Sequence, residues 1–310
     1  MNLPRNVAAS VRQRLRNLAH KQQESFQGLL TRYALERLLY RLSQSQHRDQ
    51  FILKGAMLFS VWSNEPHRAT RDMDLLGHGE NTVFHLEQVF REICCLQVEN
   101  DGLEFKEDTV RGQRIKEEQE YEGVRINLRV LFAGTNTRID LQVDIGFGDA
   151  VIPAPVLVEF PTLLDFPAPR PRTYSRETAL AEKFQAMVKL GIANSRMKDF
   201  YDVWFLSQEF QFEGEALCRA LKATFDRRKT ALPVEPPLAL TTEFSEDLDN
   251  QKQWKAFLKT KDVRAKQKLL SEVIPILQGF LMPPSQAIAS CESFERIWYP
   301  TGPWQSNTHL

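Results

Sequence analysis

The chain has 310 residues, 42% of them hydrophobic and 26% charged, a composition typical of globular proteins that excludes disordered and fibrous ones. Forty basic residues balance 40 acidic ones, so overall charge cannot hold a polyanion, and any contact with nucleic acid requires a local basic patch. There is no run of about 18 apolar residues, no secretory signal and no CxxC pair among the four cysteines, so we expect a soluble cytoplasmic protein with reduced thiols.

The N-terminal part of the chain predicts helices and then short strands. Apolar residues recur at helical spacing over 11–42, which predicts one or two amphipathic helices with a possible break at Gly28. The elements expected next are an apolar run at Phe51–Lys54 that turns at Gly55, a helix at 56–62, a strand from Met73 that closes at Gly77, and a helix at 82–95.

The middle of the chain predicts a hairpin. Strands at 123–132 and 137–147 flank a Gly-Thr-Asn turn at 134–136. A proline-rich passage at 153–171 then indicates an extended connection.

Helices are expected again after this connection. Ser175 is typical of a helix N-cap, and its helix should run to about Leu190, with a second helix beginning near Arg196. Beyond Phe210 the pattern weakens. The signals that remain there are helical stretches around Trp254 and 269–277, and a tail after Met282 that should be loose or lie on the surface.

The first chemical motif lies between Lys54 and Asp74. Asp72 and Asp74 are two residues apart in a predicted strand, so both carboxylates leave one face. Paired carboxylates repel each other unless a cation lies between them, and oxygen ligands suit Mg²⁺ bound to phosphates. The turn at Gly55 leads into a helix whose first N–H groups can bind a phosphate. Together these features indicate phosphoryl or nucleotidyl transfer, although a solvated turn is the commoner explanation of such a pair alone.

A second polar face follows in the strand at 137–147. Asp140, Gln142 and Asp144 alternate with apolar residues that should face the core. A plain solvent-exposed face explains this pattern equally well. Asp144 is the better candidate for a site, because a glycine-bearing segment follows it.

The third cluster lies on the two predicted helices after Ser175. Lys198 and Asp202 are i,i+4 neighbours on one helix, and taken alone the cluster is more typical of a surface ion-pair ladder. In the functional interpretation, Lys183 binds a triphosphate as a point charge, while Asp199 and Asp202 orient Lys183 or the base.

In their order and spacing, these motifs resemble the AbiEii/AbiGii toxin family of nucleotidyltransferase-like proteins, the toxins of type IV toxin–antitoxin and abortive infection systems. The resemblance covers about residues 35–207. It is carried by KG at 54–55, RATRDMDL at 68–75, VDIGFGD at 143–149, AEK at 181–183 and RMKDFYD at 196–202.

The resemblance implies an α/β (α+β) fold, with a nucleotidyltransferase-like mixed sheet flanked by helices. It implies N-terminal helices at 1–48, a nucleotidyltransferase-like core at 49–210 and a helical C-terminal region at 211–310. It further implies that Mg²⁺, or alternatively Mn²⁺, serves transfer of a nucleotide from an NTP to an acceptor hydroxyl, with the 3′ end of tRNA as the best candidate. The implied partners are the NTP, the RNA acceptor and a cognate antitoxin protein, without a membrane.

The same resemblance assigns roles to individual residues. Asp72, Asp74 and Asp144 would hold the metal ions, with Asp144 as a ligand or as the base for the attacking hydroxyl. Lys183 would complete the catalytic set. The residues expected to bind the nucleotide are Lys54, Gly55, Arg71, Lys183, Lys198, Asp199 and Asp202.

One departure from the family pattern leaves an alternative open. Family members usually carry a small residue and then Ser or Thr after the glycine, whereas this chain has Ala56 and Met57. Met57 cannot donate a hydroxyl hydrogen bond to phosphate, although backbone N–H groups or Ser60 could serve. The second hypothesis is therefore a catalytically weak or inactive nucleotide-binding module that acts through a protein partner. His67 is a weaker substrate-contacting candidate.

Overall fold

The computed structural model describes residues 6–63, 70–117, 121–259 and 268–306. The chain forms two compact units, one of Met1–Gly148 with Val156–Thr173 and the other of Asp149–Pro155 with Tyr174–Leu310. The bounds expected from the sequence, 1–48, 49–210 and 211–310, remain a prediction, and position 210 lies inside the second unit. No described helix has both the length and the apolar character that crossing a membrane demands.

The first unit is built on a mixed seven-stranded sheet. Its helices are α1 (Val7–Gln22), α2 (Phe26–Gln44), α3 (Phe59–Trp62) and α4 (Val83–Cys95). Its strands are β1 (Phe51–Lys54), β2 (Asp72–Gly77), β3 (Leu103–Glu117), β4 (Tyr121–Phe132), β5 (Arg138–Phe147), β6 (Val156–Leu157) and β7 (Arg172–Thr173). The strands lie in the order β3-β4-β5-β2-β1-β7-β6, with β2–β5 and β1–β7 parallel and the other neighbours antiparallel. Since α2 packs on β5 and α4 packs on β3 and β4, the predicted mixed sheet flanked by helices is confirmed.

The N-terminal helices are separated a few residues earlier than predicted. The chain leaves α1 through Gln23, which has a φ of 56°, and Ser25 then caps α2 by accepting a hydrogen bond from the Gly28 N–H. The predicted break at Gly28 is therefore wrong, because this glycine lies in the first turn of α2. The stabilisation of the helix N-terminus by the Ser25 side chain outweighs the modest free-energy cost of one glycine inside the helix.

Strand β3 was not predicted from the sequence. Its register with β4 shifts between Lys106 and Arg111, so the buried side chains of Phe105 and Val110 are an odd number of positions apart along the chain. The alternation that marks a half-buried strand is lost at such an irregularity.

The second unit is mainly helical. Its helices are α5 (Arg176–Leu190), α6 (Met197–Glu209), α7 (Gly214–Arg227), α8 (Thr242–Glu246), α9 (Leu248–Leu258) and α10 (Leu270–Ala289). Ser175 caps α5 as predicted, by accepting a hydrogen bond from the Thr178 N–H, whereas α7 had not been predicted.

The expectation of a loose tail after Met282 is wrong. Helix α10 continues through Pro283 and Pro284, and a three-stranded sheet follows, formed by β8 (Phe212–Glu213), β9 (Arg296–Trp298) and β10 (Trp304–Ser306). Both tryptophans are buried, and their indole N–H groups donate to the backbone carbonyls of Ser207 and Phe280 at 2.7 and 2.9 Å. Tertiary packing thus orders a segment whose prolines and weak periodicity suggested otherwise.

A buried group of charges fixes α2 within the first unit. Asp101 accepts hydrogen bonds from Arg37 Nε at 3.1 Å and from Arg41 Nη1 at 2.6 Å. Next to them, Glu36 is only 1% exposed and its carboxylate accepts from the Leu163 N–H at 2.8 Å. Burial raises the pKa of Glu36 to about 7, although the Leu163 N–H and Arg37 act in the opposite direction.

We expect Glu36→Gln to change how stability depends on pH. Because the Glu36 pKa is higher in the folded than in the unfolded protein, its contribution is fully present below pH 4.5 and is lost as pH rises through about 7. The wild type should therefore lose on the order of 3 kcal/mol of unfolding free energy through this group between about pH 5 and 8. Glu36→Gln should not show this loss of unfolding free energy. Urea unfolding measured across that pH range compares the two proteins. The exposed Glu99→Gln is the control, and identical pH curves for the wild type and Glu36→Gln would contradict the expectation.

Candidate functional site

The first unit brings the three predicted metal-binding acids together. Asp72 and Asp74 lie on β2 and Asp144 lies on the parallel neighbour β5, with Asp74 and Asp144 directly opposite in register. One carboxylate oxygen from each residue lies within 4.8 Å of the others. The alternation predicted for both strands holds, since Met73, Val143 and Ile145 are buried. Three oxygen ligands at this separation fit a divalent cation such as Mg²⁺.

Neighbouring side chains hold two of these acids in place. Arg125 on β4 forms a two-bond ion pair with Asp144, with Nε–Oδ1 and Nη2–Oδ2 distances of 2.8 Å each. Gln142 adds a hydrogen bond from Nε2 to Asp144 Oδ2 at 3.1 Å. The Thr70 hydroxyl donates to Asp72 Oδ1. The carboxylates are therefore oriented by the protein itself, which favours a preorganised ligand set.

Gly55 lies against one of the acids. It has a φ of +73° and begins a short 3₁₀ turn directly after β1. A Cβ atom at this position would lie 1.9 Å from Asp74 Oδ2 and 2.6 Å from its Cγ. Only glycine allows both this backbone conformation and this approach to the carboxylate.

The strand register places the charges of this site in one row. Lys54 lies opposite Asp74, Asp74 opposite Asp144, and Asp144 opposite Arg125, across β1, β2, β5 and β4. The row thus has two adjacent acids with a basic residue at each end, so that its formal charge is balanced before any ligand binds.

The second unit brings together Lys183, Asp199 and Asp202. The ammonium of Lys183 on α5 pairs with both acids of α6, at 2.7 Å from Asp199 Oδ1 and 2.8 Å from Asp202 Oδ2. Arg196 Nε lies 2.8 Å from Asp199 Oδ2. Burial alone would raise the pKa of Asp199, but Lys183 and Arg196 outweigh this effect and hold it below its ordinary value. The structure thus pairs Lys183 with both acids, while their role in orienting Lys183 or the base stays a prediction.

A buried network supports the helix that carries Lys183. Tyr174 donates through its hydroxyl to Glu182 at 3.0 Å. Arg228 donates to Asp149 Oδ1 from both Nε and Nη2, at 3.1 and 3.0 Å, and from Nη1 to Gln185 Oε1 at 2.8 Å. The network fixes the segment before α5 to the helix itself.

The remaining predicted residues are placed as follows. Lys54 is buried at the end of β1, Arg71 is exposed next to Asp72, and Lys198 is exposed on α6. His67 lies outside the described residues.

Comparison with known protein families settles the relationship that the motifs suggested. Residues 37–270 match the family described as the nucleotidyl transferase AbiEii toxin of type IV toxin–antitoxin systems. The chain belongs to this family. The resemblance read from the sequence is thus confirmed, and the chain is a nucleotidyltransferase toxin by family.

Solved structures share the fold of this AbiEii-family chain. The nucleotidyltransferase toxin MenT4 from Mycobacterium tuberculosis is 17% identical and superposes with a TM-score of 0.57, over 94% of this chain and 95% of its own. A candidate nucleotidyltransferase from H. pylori is 15% identical, with a TM-score of 0.51 over 87% of this chain and 100% of its own. At these identities the likeness shows the fold alone. A search of curated proteins found no match.

The residue that departs from the family pattern is part of the core. Met57 is 6% exposed in the short turn after β1, next to the buried Ala56. Its thioether therefore packs inside the first unit, where a phosphate-binding hydroxyl was expected.

We expect Met57→Ser to destabilise the AbiEii-family chain and not to restore a missing function. Removing a buried Met side chain should lower the unfolding free energy by about 2–4 kcal/mol, measured by chemical denaturation. Ser60→Ala, on the next turn, is the control. A Met57→Ser variant as stable as the wild type and faster in nucleotide transfer would instead show that the site needs a hydroxyl here.

The partners of the acids, Arg125, Thr70 and Gln142, were not predicted from the sequence. The signal for Arg125 was present, since Arg125, Asn127 and Arg129 alternate with buried residues along β4. Combined with the hairpin, this alternation places Arg125 on the face of the sheet that carries Asp144.

Proposed function

We propose that this AbiEii-family toxin is a Mg²⁺-dependent enzyme that transfers a nucleotide from an NTP to an acceptor hydroxyl. The observation that carries the proposal is the convergence of Asp72, Asp74 and Asp144 within 4.8 Å. Hard oxygen ligands of this kind suit Mg²⁺, and Mn²⁺ can replace it. When bound, the cations would stabilise the negative charge that develops on the reacting phosphate.

The residues of the chain then have distinct tasks. Asp72, Asp74 and Asp144 hold the cations, and Gly55 leaves room for the Asp74 carboxylate. Lys54 and Arg71 supply positive charge for the phosphates next to these acids. We assign them to nucleotide binding together with Gly55.

Lys183 serves the triphosphate as a point charge. Its two ion pairs restrict its rotamers, so that less conformational entropy is lost when an anion binds. Asp199 and Asp202 orient it, and Lys198 adds an exposed charge on the same helix.

The acceptor that we propose is an RNA, with the tRNA 3′ end as the first candidate, and the partner is a cognate antitoxin protein. Support comes from the type IV toxin–antitoxin family that the chain matches. The chain would act in the cytoplasm, where nucleotides and RNA are available.

A second candidate function is a nucleotide-binding module without transfer. Met57 favours it, because no hydroxyl follows Gly55 at the usual place. The three converging acids favour the enzyme, since a binding module has less need of them.

Both candidates are tested by one labelling experiment. The purified protein is incubated with Mg²⁺, each α-labelled NTP in turn, and total tRNA or cell lysate. We expect label on RNA with the wild type and none with the Asp72→Ala/Asp74→Ala double variant. Label on protein would move the acceptor away from RNA. Nucleotide binding without transfer of any label would support the binding module.

A further inference from the structure

The ion pair between Arg125 and Asp144 occupies much of a carboxylate that the site needs. Arg125 donates one hydrogen bond to each oxygen of Asp144, and Gln142 donates a second hydrogen bond to Oδ2. A carboxylate accepts about four hydrogen bonds, so roughly one acceptor position on Asp144 remains, on Oδ1. Asp144, which should complete the cation site, is therefore capped: Arg125 and Gln142 occupy most of its acceptor positions.

The charge of the cap matters as much as its hydrogen bonds. The side chain of Asp144 is 11% exposed and that of Arg125 is 32% exposed, so water screens the pair only in part. A guanidinium this close repels any cation that approaches Asp144. Asp72, by contrast, is held by the neutral hydroxyl of Thr70, which adds no such repulsion.

A neighbouring pair shows that this arrangement is more than a common cross-strand contact. Arg129 and Asp140 face each other on the same two strands, four register positions nearer the β4–β5 turn. Their pair has one hydrogen bond, Nε–Oδ1 at 2.8 Å, and side chains that are 41% and 74% exposed. The ion pair with two hydrogen bonds and less exposed side chains is therefore the one that involves Asp144, an acid of the candidate site.

We propose that Arg125 is a positioning residue that limits how much divalent cation the acidic site takes before nucleotide arrives. In the nucleotide-free protein, Arg125 stays paired with Asp144 and weakens the contribution of this acid to cation binding. The negative charge of a triphosphate draws the guanidinium away and makes Asp144 available. This inference rests on the proposed metal-dependent function.

The test is a Mn²⁺ titration of the nucleotide-free protein, with free Mn²⁺ measured by electron paramagnetic resonance. We expect Arg125→Gln to bind Mn²⁺ about tenfold more tightly than the wild type, or to gain a second site. Arg129→Gln, the matched control on the same strands, should bind as the wild type does. Arg125→Lys keeps the charge without the two-bond geometry and should bind less tightly than Arg125→Gln.

Two further measurements locate the effect. Adding Asp144→Asn to Arg125→Gln should return the Mn²⁺ affinity to the wild-type value or below it. With a non-hydrolysable triphosphate present, the wild type and Arg125→Gln should have similar Mn²⁺ affinities. The measurement is corrected for Mn²⁺ that binds to free triphosphate.

The outcomes separate this inference from the function on which it rests. Mn²⁺ binding that is equal or weaker in Arg125→Gln than in a wild type that does bind would overturn only the role of Arg125. The role of Arg125 would also be overturned if Arg125→Gln still raised the Mn²⁺ affinity after Asp144→Asn was added. The same holds if the Mn²⁺ affinities of the wild type and Arg125→Gln stayed different with the triphosphate present. If neither protein binds Mn²⁺ even with the triphosphate present, the proposed metal-dependent transfer fails as well. Arg125→Lys provides the comparison if Arg125→Gln does not fold.

Discussion

Replacing Gly55 with Ala is expected to lower nucleotide transfer by at least about a hundredfold, because a displacement of about 1 Å at reacting groups has effects of this size. The new Cβ would overlap Asp74 Oδ2, at 1.9 Å, and would force that carboxylate away from its position near Asp72 and Asp144. The measurement is kcat/KM for transfer of α-labelled nucleotide, with Mn²⁺ binding as a second measurement that needs no acceptor.

Gly134→Ala is a close control for this variant. Gly134 has a φ of +70°, similar to the +73° of Gly55, but a Cβ there would meet nothing within 4 Å. Both variants therefore carry a backbone strain of about 1–2 kcal/mol, and only one disturbs Asp74. Equal transfer by the two variants would mean that contact with Asp74 does not explain the glycine.

Replacing Lys183 with Gln should have two large effects. It removes the cation between Asp199 and Asp202, which are 2% and 0% exposed, while Arg196 still lies 2.8 Å from Asp199. Loss of one partner from a buried ion pair costs about 3–5 kcal/mol, so the unfolding free energy should fall by this amount at neutral pH. The proposed triphosphate contact is lost at the same time, and transfer should fall with it.

Stability and activity can be separated with a charge-neutral set of variants. Adding Asp199→Asn and Asp202→Asn to Lys183→Gln removes the two buried negative charges with which Lys183 pairs in the wild type, and should recover much of the stability. Transfer should stay absent, since an amide does not replace the ammonium. Recovery of transfer in the triple variant would show that Lys183 serves folding only. The exposed Lys198→Gln should leave stability unchanged.

The parts of the site that lie within one element could be predicted from the sequence. Alternation along β5 placed Asp140, Gln142 and Asp144 on one face, and the two-residue spacing of Asp72 and Asp74 did the same on β2. The order of the motifs along the chain supplied the family. Strong local periodicity is the most reliable signal that a single sequence contains.

Contacts between elements could not be predicted in the same way. The parallel pairing of β2 with β5 brings Asp74 opposite Asp144, and no local signal specifies that register. The irregular β3 and the proline-containing end of α10 were misread, because packing outweighs local preference in both. Spacing along α6 predicted Lys198 as a neighbour of Asp202. It could not specify the close pair of Asp202 with Lys183 on α5, which only the functional interpretation had grouped with the two acids.

The late strands β9 and β10 have a consequence for the genetics of this toxin. Trp298 and Trp304 pack with Phe280 in the core of the second unit, although they come close to the end of the described chain. A stop codon at any position before Trp304 removes at least one of these rings, and the unit that carries Lys183 then loses a large part of its buried aromatic surface. In a selection for cells that escape the toxin, nonsense and frameshift alleles should therefore be recovered in every part of the gene that precedes the codon for Trp304. They should not be confined to the part that encodes the three acids.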